Sequence, residues 1–395
     1  MTLKIFIITG EESGDRLGAA VIEQARTSQQ SIDIEFSGIG GERMRSLGFY
    51  SIFPIEDISV MGLTEIIPKL PTIFSRLDQT VRAIEKFQPD VVLSIDCPDF
   101  SLRVQKRIRK KSLPVRQVHY VAPTVWAWRP GRACAIAQYL DKILCLYPFE
   151  PQYFEKEGLK AEFVGHPIAD RHVTAISDGD FRSRHNIPGS SQIAGLYLGS
   201  RGREVENHAP VFAGMVEQLV NSGKADTVKF VVPTFDRFLP ALKQHFSNTP
   251  DHIVFITNDN DKEVAMSMMS AAACVNGTVG LELAMALVPH MTCYKAGRLT
   301  AFIARRLINL QHIHLVNILR DHNCLGSAET GPVVPEFIQN DVDVKTMADQ
   351  LDGLIKRPEE QRKQKLAFES LPKTLRPDNY GTPTAQAVLN AVMDI

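Results

Sequence analysis

Leu3-Lys-Ile-Phe-Ile-Ile-Thr9-Gly10-Glu11-Glu12-Ser13-Gly14-Asp15 is the stretch on which the fold turns. Its isoleucine-rich run reads as a buried strand over 3–9. The two glycines allow a tight turn, and the amphipathic stretch from Arg16 reads as a helix. Strand, glycine turn and helix in that order open a parallel α/β sheet. The alternation recurs: short Val- and Ile-rich runs at 32–37, 90–95, 115–120, 141–146 and 161–165 are separated by longer amphipathic segments, as parallel strands with crossover helices require. A second series at 193–198, 228–232, 252–256, 272–275 and 289–294 follows the polar stretch from Ser177 to Ser191. The pattern predicts an α/β protein of two doubly wound Rossmann-like domains facing a cleft, at 1–170 and 171–370. A helical tail over 371–395 can pack back on the first domain. Ligands of such sheets sit beyond the carboxyl ends of the strands, so the residues that follow strands are the ones to read for chemistry.

The chain has 395 residues, 44% hydrophobic and 23% charged, too long for one ordinary core and sufficient for two. A formal net charge of -1 and a pI near 6.8 remove any global electrostatic reason to expect nucleic acid. The first apolar run is too short for the core of a signal peptide. No uninterrupted apolar stretch approaches the roughly 18 residues of a membrane-spanning helix, so a cytoplasmic protein with at most peripheral membrane contact is expected. The six cysteines form no CxxC pair and lie mostly in apolar surroundings, which reads as structural thiols. With no HExxH-type spacing and the histidines scattered, neither a metal nor another cofactor is expected.

Five segments after strands carry chemistry. Gly10–Asp15 is either a binding loop or a plain helix cap by Ser13 or Asp15. Asp96-Cys97-Pro98-Asp99 ends the strand at 90–95; Asp96 is placed to act as a general base, although a helix cap is an equal reading and suits Asp99 better. The loop after 115–120 holds His119, both tryptophans of the chain, Trp126 and Trp128, and the arginines Arg129 and Arg132. Aromatic faces bind sugar rings or acyl chains and arginine binds phosphate, while packing against the core is the alternative. Gly199-Ser200-Arg201-Gly202-Arg203 opens a helix after the strand at 193–198. Amides, dipole and guanidinium together favour a phosphate site over a capping turn. Asn276-Gly277-Thr278-Val279-Gly280-Leu281-Glu282 again opens a helix after a strand and suits a diphosphate, with Glu282 able to accept from ribose hydroxyls; a dipole-favoured glutamate is the plainer reading.

Taken together, these segments resemble lipid-A-disaccharide synthases. The words are Gly-Glu-Glu-Ser-Gly-Asp (10–15), Asp-Cys-Pro-Asp-Phe (96–100) and His-Tyr-Val-Ala-Pro-Thr-Val-Trp-Ala-Trp (119–128). Further along come Phe-Val-Gly-His-Pro (163–167), Gly-Ser-Arg-Gly-Arg-Glu-Val-Glu (199–206), Gly-Thr-Val-Gly-Leu-Glu (277–282) and Val-Val-Pro-Glu-Phe-Ile-Gln (333–339). They occur in family order over nearly the whole chain. The resemblance implies the glycosyltransferase-B architecture, an N-terminal acceptor domain and a C-terminal domain for the nucleotide sugar. It implies transfer of 2,3-diacylglucosamine from UDP-2,3-diacylglucosamine to 2,3-diacylglucosamine 1-phosphate, giving a β-1,6 disaccharide and UDP. By position, Asp96 is the base, and Glu11, Ser13, Asp15, His119, Trp126 and Trp128 lie on the acceptor side. Gly199, Ser200, Arg201, Gly277, Thr278, Glu282 and Asn317 lie on the nucleotide side. The chain departs from the family in lacking a proline before Gly199, in Asn276 for a usual serine, and in a longer stretch over 320–331.

Substrates with acyl chains imply peripheral contact with the inner face of the cytoplasmic membrane, and the reading leaves a homodimer open. The apolar stretch 60–74 and the mixed apolar and basic stretch 302–310 are the candidate contacts, with core helices as the alternative. A UDP-N-acetylglucosamine 2-epimerase-like enzyme or a non-catalytic UDP-binding module would share the fold. Three DxD matches, at Asp178/Asp180, Asp259/Asp261 and Asp341/Asp343, read as turns or caps.

Overall fold

The computed structural model describes residues 2–27, 33–59, 63–170, 178–297, 310–325, 331–377 and 382–394. The opening apolar run forms β1 (Thr2–Thr9), in which Ile5, Phe6, Ile7 and Ile8 are fully buried. Side chains alternate along a strand, so β1 feeds two separate cores. Ile5 and Ile7 pack with Val21 and Ile22 of the helix Glu12–Thr27 and with Val388 and Val392 of the C-terminal helix Thr384–Met393. Phe6 and Ile8 face the other way, onto Leu77, Val81 and Ile84 of the helix Leu63–Phe87 and Val104 and Ile108 of the helix Pro98–Lys110. Each isoleucine buried in this way contributes about 1.5–3 kcal/mol.

The first sheet is parallel with the order β2-β1-β3-β4-β5-β6. Its other strands are β2 (Asp33–Ile39), β3 (Val91–Ile95), β4 (Arg116–Tyr120), β5 (Lys142–Cys145) and β6 (Lys160–Phe163). Ile5 pairs with Phe36 on one side and Val91 on the other, so the winding reverses between β1 and β3. The topological switch point therefore lies where the loops after Thr9 and Ile95 run side by side.

The second sheet has the order β12-β11-β10-β7-β8-β9. It comprises β7 (Gln192–Tyr197), β8 (Val228–Pro233), β9 (Ile253–Ile256), β10 (Ala271–Val275), β11 (His290–Tyr294) and β12 (Glu336–Ile338). Alternation again splits the core: Ala194 and Leu196 face the helices Gly202–Asn221 and Val344–Lys356, while Ile193 and Tyr197 face the opposite cluster around Val264 and Leu283. The switch point falls between β7 and β10. β12 was not expected from sequence, because three residues on a sheet edge are too short to show an alternation.

The chain divides into one unit of residues 1–170 with 375–395 and another of 171–374. Within the first unit, His166 N donates to Leu375 O at 2.8 Å, Thr384 N to Asp170 Oδ2 at 2.8 Å and Arg376 Nη2 to Ala169 O at 2.8 Å. Gly165 has φ +89°, and a Cβ there would lie 2.9 Å from Leu375 O. The word Phe-Val-Gly-His-Pro thus forms the seat of the returning chain. Lys142, nearly buried on β5, donates from Nζ to Ala391 O at 3.0 Å and pairs with Glu162 at 2.7 Å. A cation at the last carbonyls of a helix satisfies them and complements its dipole.

Candidate active site

At the switch point of the first sheet the two loops touch. A Cβ on Gly10 would lie 2.4 Å from Cys97 Sγ, and one on Gly14 would lie 3.1 Å from Ile95 O. Glycine at both positions lets the loops close on each other. Asp96 and Cys97 are consecutive left-handed residues, φ +54° and +46°, a conformation that costs a non-glycine residue about 1–3 kcal/mol. Pro98, in the first turn of the next helix, disfavours a right-handed Cys97. The turn is clamped by Asp96 N donating to Tyr120 O at 3.0 Å and Ser101 Oγ donating to Asp96 O at 2.8 Å.

This turn presents the Asp96 carboxylate, partly exposed. Ser13 Oγ donates to Oδ2 at 2.8 Å and Cys97 N donates to Oδ1 at 2.8 Å. One donor per oxygen leaves each a free lone pair with which to accept a further proton. Asp99 sits in the first turn of the helix, its side chain 93% exposed and 3.6 Å from Arg132. Glu11 lies beside the turn: burial first, then the Glu11 carboxylate, push the Cys97 thiol up to about 12, so Cys97 stays a neutral packing group.

Two residues assigned to the acceptor side lie in the interior instead. Asp15 is 2% exposed; its Oδ1 accepts from Gly41 N at 2.7 Å and Met44 N at 3.2 Å, and its Oδ2 from Arg43 N at 2.9 Å. It caps the short helix Glu42–Ser46 and has no face left for a ligand. Asp15→Asn, which puts an amide N–H among those donors, is expected to lower stability by about 1–3 kcal/mol in urea unfolding while acceptor KM holds. An unchanged midpoint with a raised KM would return Asp15 to the ligand side. His119 is also fully buried, with Nδ1 2.8 Å from Ser94 Oγ. Burial, then the Arg132 charge, lower its pKa to about 3, so it is a neutral imidazole beneath the site.

The tryptophans divide. Trp126 is half-buried, with Nε1 donating to Glu150 Oε1 at 3.0 Å, and Trp128 is 39% exposed with the Arg129 guanidinium 4.0 Å above its ring. Val121 just before them has φ +75°, rare for a β-branched residue, so backbone strain gathers in the loop after β4 as well.

At the second switch point, Gly199 with φ +98° turns the chain from β7 into the helix Gly202–Asn221. Ser200 and Arg201 are exposed. Glu204 caps the start of the helix from its first turn: its Oε2 accepts from Ser200 N at 3.1 Å and Arg201 N at 3.3 Å, and its Oε1 pairs with the Arg201 guanidinium at 3.3 Å. Arg237, which the sequence reading missed, donates to Ser200 O at 3.1 Å and lies over the rings of Phe235 and Phe238 at 5.0 and 4.7 Å. After β10, Gly277 and Thr278 are exposed at the start of the helix Thr278–Met285, with Glu282 one turn in. Glu282 is close enough to Tyr197, the last residue of β7, for its charge to add to the burial that raises the phenol. The loops after β7 and β10 thus converge.

Asn317, expected to face the nucleotide, is fully buried. Its Nδ2 donates to Val334 O at 2.8 Å and Glu336 Oε1 at 2.7 Å, and its Oδ1 accepts from Val333 N at 2.8 Å and Val334 N at 3.0 Å. With every amide hydrogen bond spent, it is a clamp between the helix Leu315–Asp321 and β12. Among the DxD matches, Asp343 caps a helix through Thr346 N, and Asp261 binds Arg184 and His185.

Two doubly wound parallel sheets, each with polar loops and glycines gathered at its switch point, define the glycosyltransferase-B class of fold. A solved UDP-GlcNAc 2-epimerase from Neisseria meningitidis superposes with a TM-score of 0.61 at 12% identity over all of both chains, a likeness of fold alone. The profile of the lipid-A-disaccharide synthetase family matches residues 5–388. The lipid-A-disaccharide synthase of Rhodospirillum centenum is 39% identical over 92% of this chain and 87% of that protein, and the one from Gluconobacter oxydans is 37% identical over 99% and 90%. The chain belongs to the lipid-A-disaccharide synthase family and is a hexosyltransferase. Among the described residues, no helix is long and apolar enough to cross a membrane.

Proposed function

We propose that the protein transfers 2,3-diacylglucosamine from its UDP derivative to 2,3-diacylglucosamine 1-phosphate with inversion. The single observation that carries the reaction chemistry is the Asp96 carboxylate, presented at a switch point on a strained turn and oriented by Ser13. An acceptor hydroxyl attacks the anomeric carbon and Asp96 takes its proton. The bond from that carbon to the diphosphate oxygen breaks, and UDP leaves with the electron pair. On this reading the first unit binds the acceptor. The second holds UDP, with Arg201 and the helix start at Gly277 and Thr278 meeting the phosphates and Glu282 the ribose. Asp15, His119 and Asn317 hold the loops in shape.

Family membership favours this over the epimerase reading that the shared fold leaves open. Peripheral membrane contact accords with Leu70 and Phe74, 36% and 47% exposed on the helix Leu63–Phe87; of the two candidate stretches, 60–62 and 302–309 lie outside the described residues. Incubation with both lipid substrates is expected to yield UDP and a disaccharide 1-phosphate by mass spectrometry. Free sugar released without acceptor would support an epimerase-like reaction instead.

A further inference from the structure

Glu150 is a carboxylate, 1% exposed, that the proposed reaction does not use. It lies in the turn after β5, just before the helix Pro151–Glu155, and its oxygens are divided between two loops. Oε2 accepts from Leu146 N and Tyr147 N, both at 3.0 Å, within its own turn. Oε1 accepts from the Trp126 indole at 3.0 Å in the loop after β4. The indole meets Phe149 edge-on at 5.2 Å, Phe149 stacks on Tyr147 at 5.8 Å, and Tyr147 stacks on His166 at 5.5 Å. Val125 before the indole and Ala133 after it are buried in one cluster with Leu102 and Ile143, so the loop backbone is anchored on both sides of Trp126, and the Glu150 bond is what fixes the half-buried indole itself.

We propose that Glu150 is the positioning residue of the Trp126 indole, holding it through Oε1 and releasing it when the carboxylate takes up a proton. The proposal rests on the reading of Trp126 as an acceptor-side residue. Oε2 already accepts two backbone N–H groups, so the proton goes to Oε1. The resulting hydroxyl is a poor acceptor facing an N–H donor, and the Trp126 bond is the one lost.

Burial raises the Glu150 pKa to about 7 against the downward pull of Trp126, Tyr147 and Leu146, so release falls near neutral pH. The Tyr147 phenol and the Cys145 thiol, both coupled to it, are pushed up chiefly by burial and stay uncharged there. His166 stacks on Tyr147, and Glu155, which also acts on Cys145, ends the following helix. The sign separates release from unfolding. The folded pKa is raised, so the stability contributed by this group is fully present below the ordinary value of 4.5 and is lost as pH rises through about 7. Acidification through 7 therefore loosens the indole without destabilising the fold at this residue.

The chain has two tryptophans, so Trp128→Phe leaves Trp126 as the sole indole reporter. Its emission, titrated from about pH 5.5 to 8.5, is expected to shift with a midpoint near 7, and the shift should vanish when Glu150→Gln is added. In the wild-type enzyme, acceptor KM should rise roughly two- to tenfold between about pH 8 and 6, the worth of one hydrogen bond, with donor KM unmoved. Flat Trp126 emission in the Trp128→Phe protein, which needs no change at Glu150, overturns the proposal, as does a shift that survives Glu150→Gln. A titrating indole with a pH-independent acceptor KM overturns the acceptor-side reading and with it the positioning role, leaving only the hydrogen bond.

Discussion

Asp96→Asn is expected to lower kcat by about 10²- to 10⁴-fold with UDP affinity close to wild type. An acceptor hydroxyl has a pKa far above that of a carboxylate, so no free alkoxide forms and proton transfer must accompany attack. Asparagine cannot take the proton, yet it fits the turn. Its Oδ1 can accept from Cys97 N, its Nδ2 can donate to Ser13 Oγ with the hydroxyl rotated, and the clamps through Tyr120 O and Ser101 Oγ use the backbone alone. Loss of rate in a folded protein therefore reports the missing base. Asp99→Asn is the control: with 93% of its side chain exposed, Asp99 should tolerate the change with near wild-type kcat. If Asp99→Asn abolished turnover and Asp96→Asn did not, the second carboxylate would be the base and Asp96 a structural ligand of its turn.

The strands could be read from sequence because a central parallel strand is apolar on both faces: Ile5, Phe6, Ile7 and Ile8 leave no other assignment. The turns after them could be read because glycine and proline mark where the backbone bends. What stayed hidden was direction. An aspartate after a strand has the same letter whether it faces a ligand, as Asp96 can, or turns inward to cap a neighbouring helix, as Asp15 does. Nothing local distinguishes Asn317, whose partners Val333, Val334 and Glu336 lie more than a dozen residues away. The Gly-His-Pro turn was visible as a word without a role, because the chain that docks on it returns only at Leu375. Arg237 and Glu150 went unread for the same reason: each acts on a loop, through Ser200 O and Trp126, that sequence spacing does not bring near.

Arg201→Ala is expected to lower kcat/KM by about 10²-fold or more, typical of removing one preorganised electrostatic contact to developing charge. The side chain is 66% exposed and its ion pair to Glu204, at 3.3 Å, spans three residues on a helix end. Such surface pairs contribute little, so the guanidinium can pass from Glu204 to a diphosphate at small cost. Glu204 would still receive Ser200 N and the backbone N–H of position 201 in the alanine variant, so the Glu204 cap survives and the melting temperature should hold. Arg201→Lys separates charge from geometry. Lysine restores the positive charge but not the two-pronged fit to phosphate oxygens, and should recover only part of the loss. Full recovery with lysine would mean that charge alone matters at this position. Unchanged kinetics in a folded Arg201→Ala protein would remove the residue from the nucleotide site and leave it as the cap of the helix Gly202–Asn221.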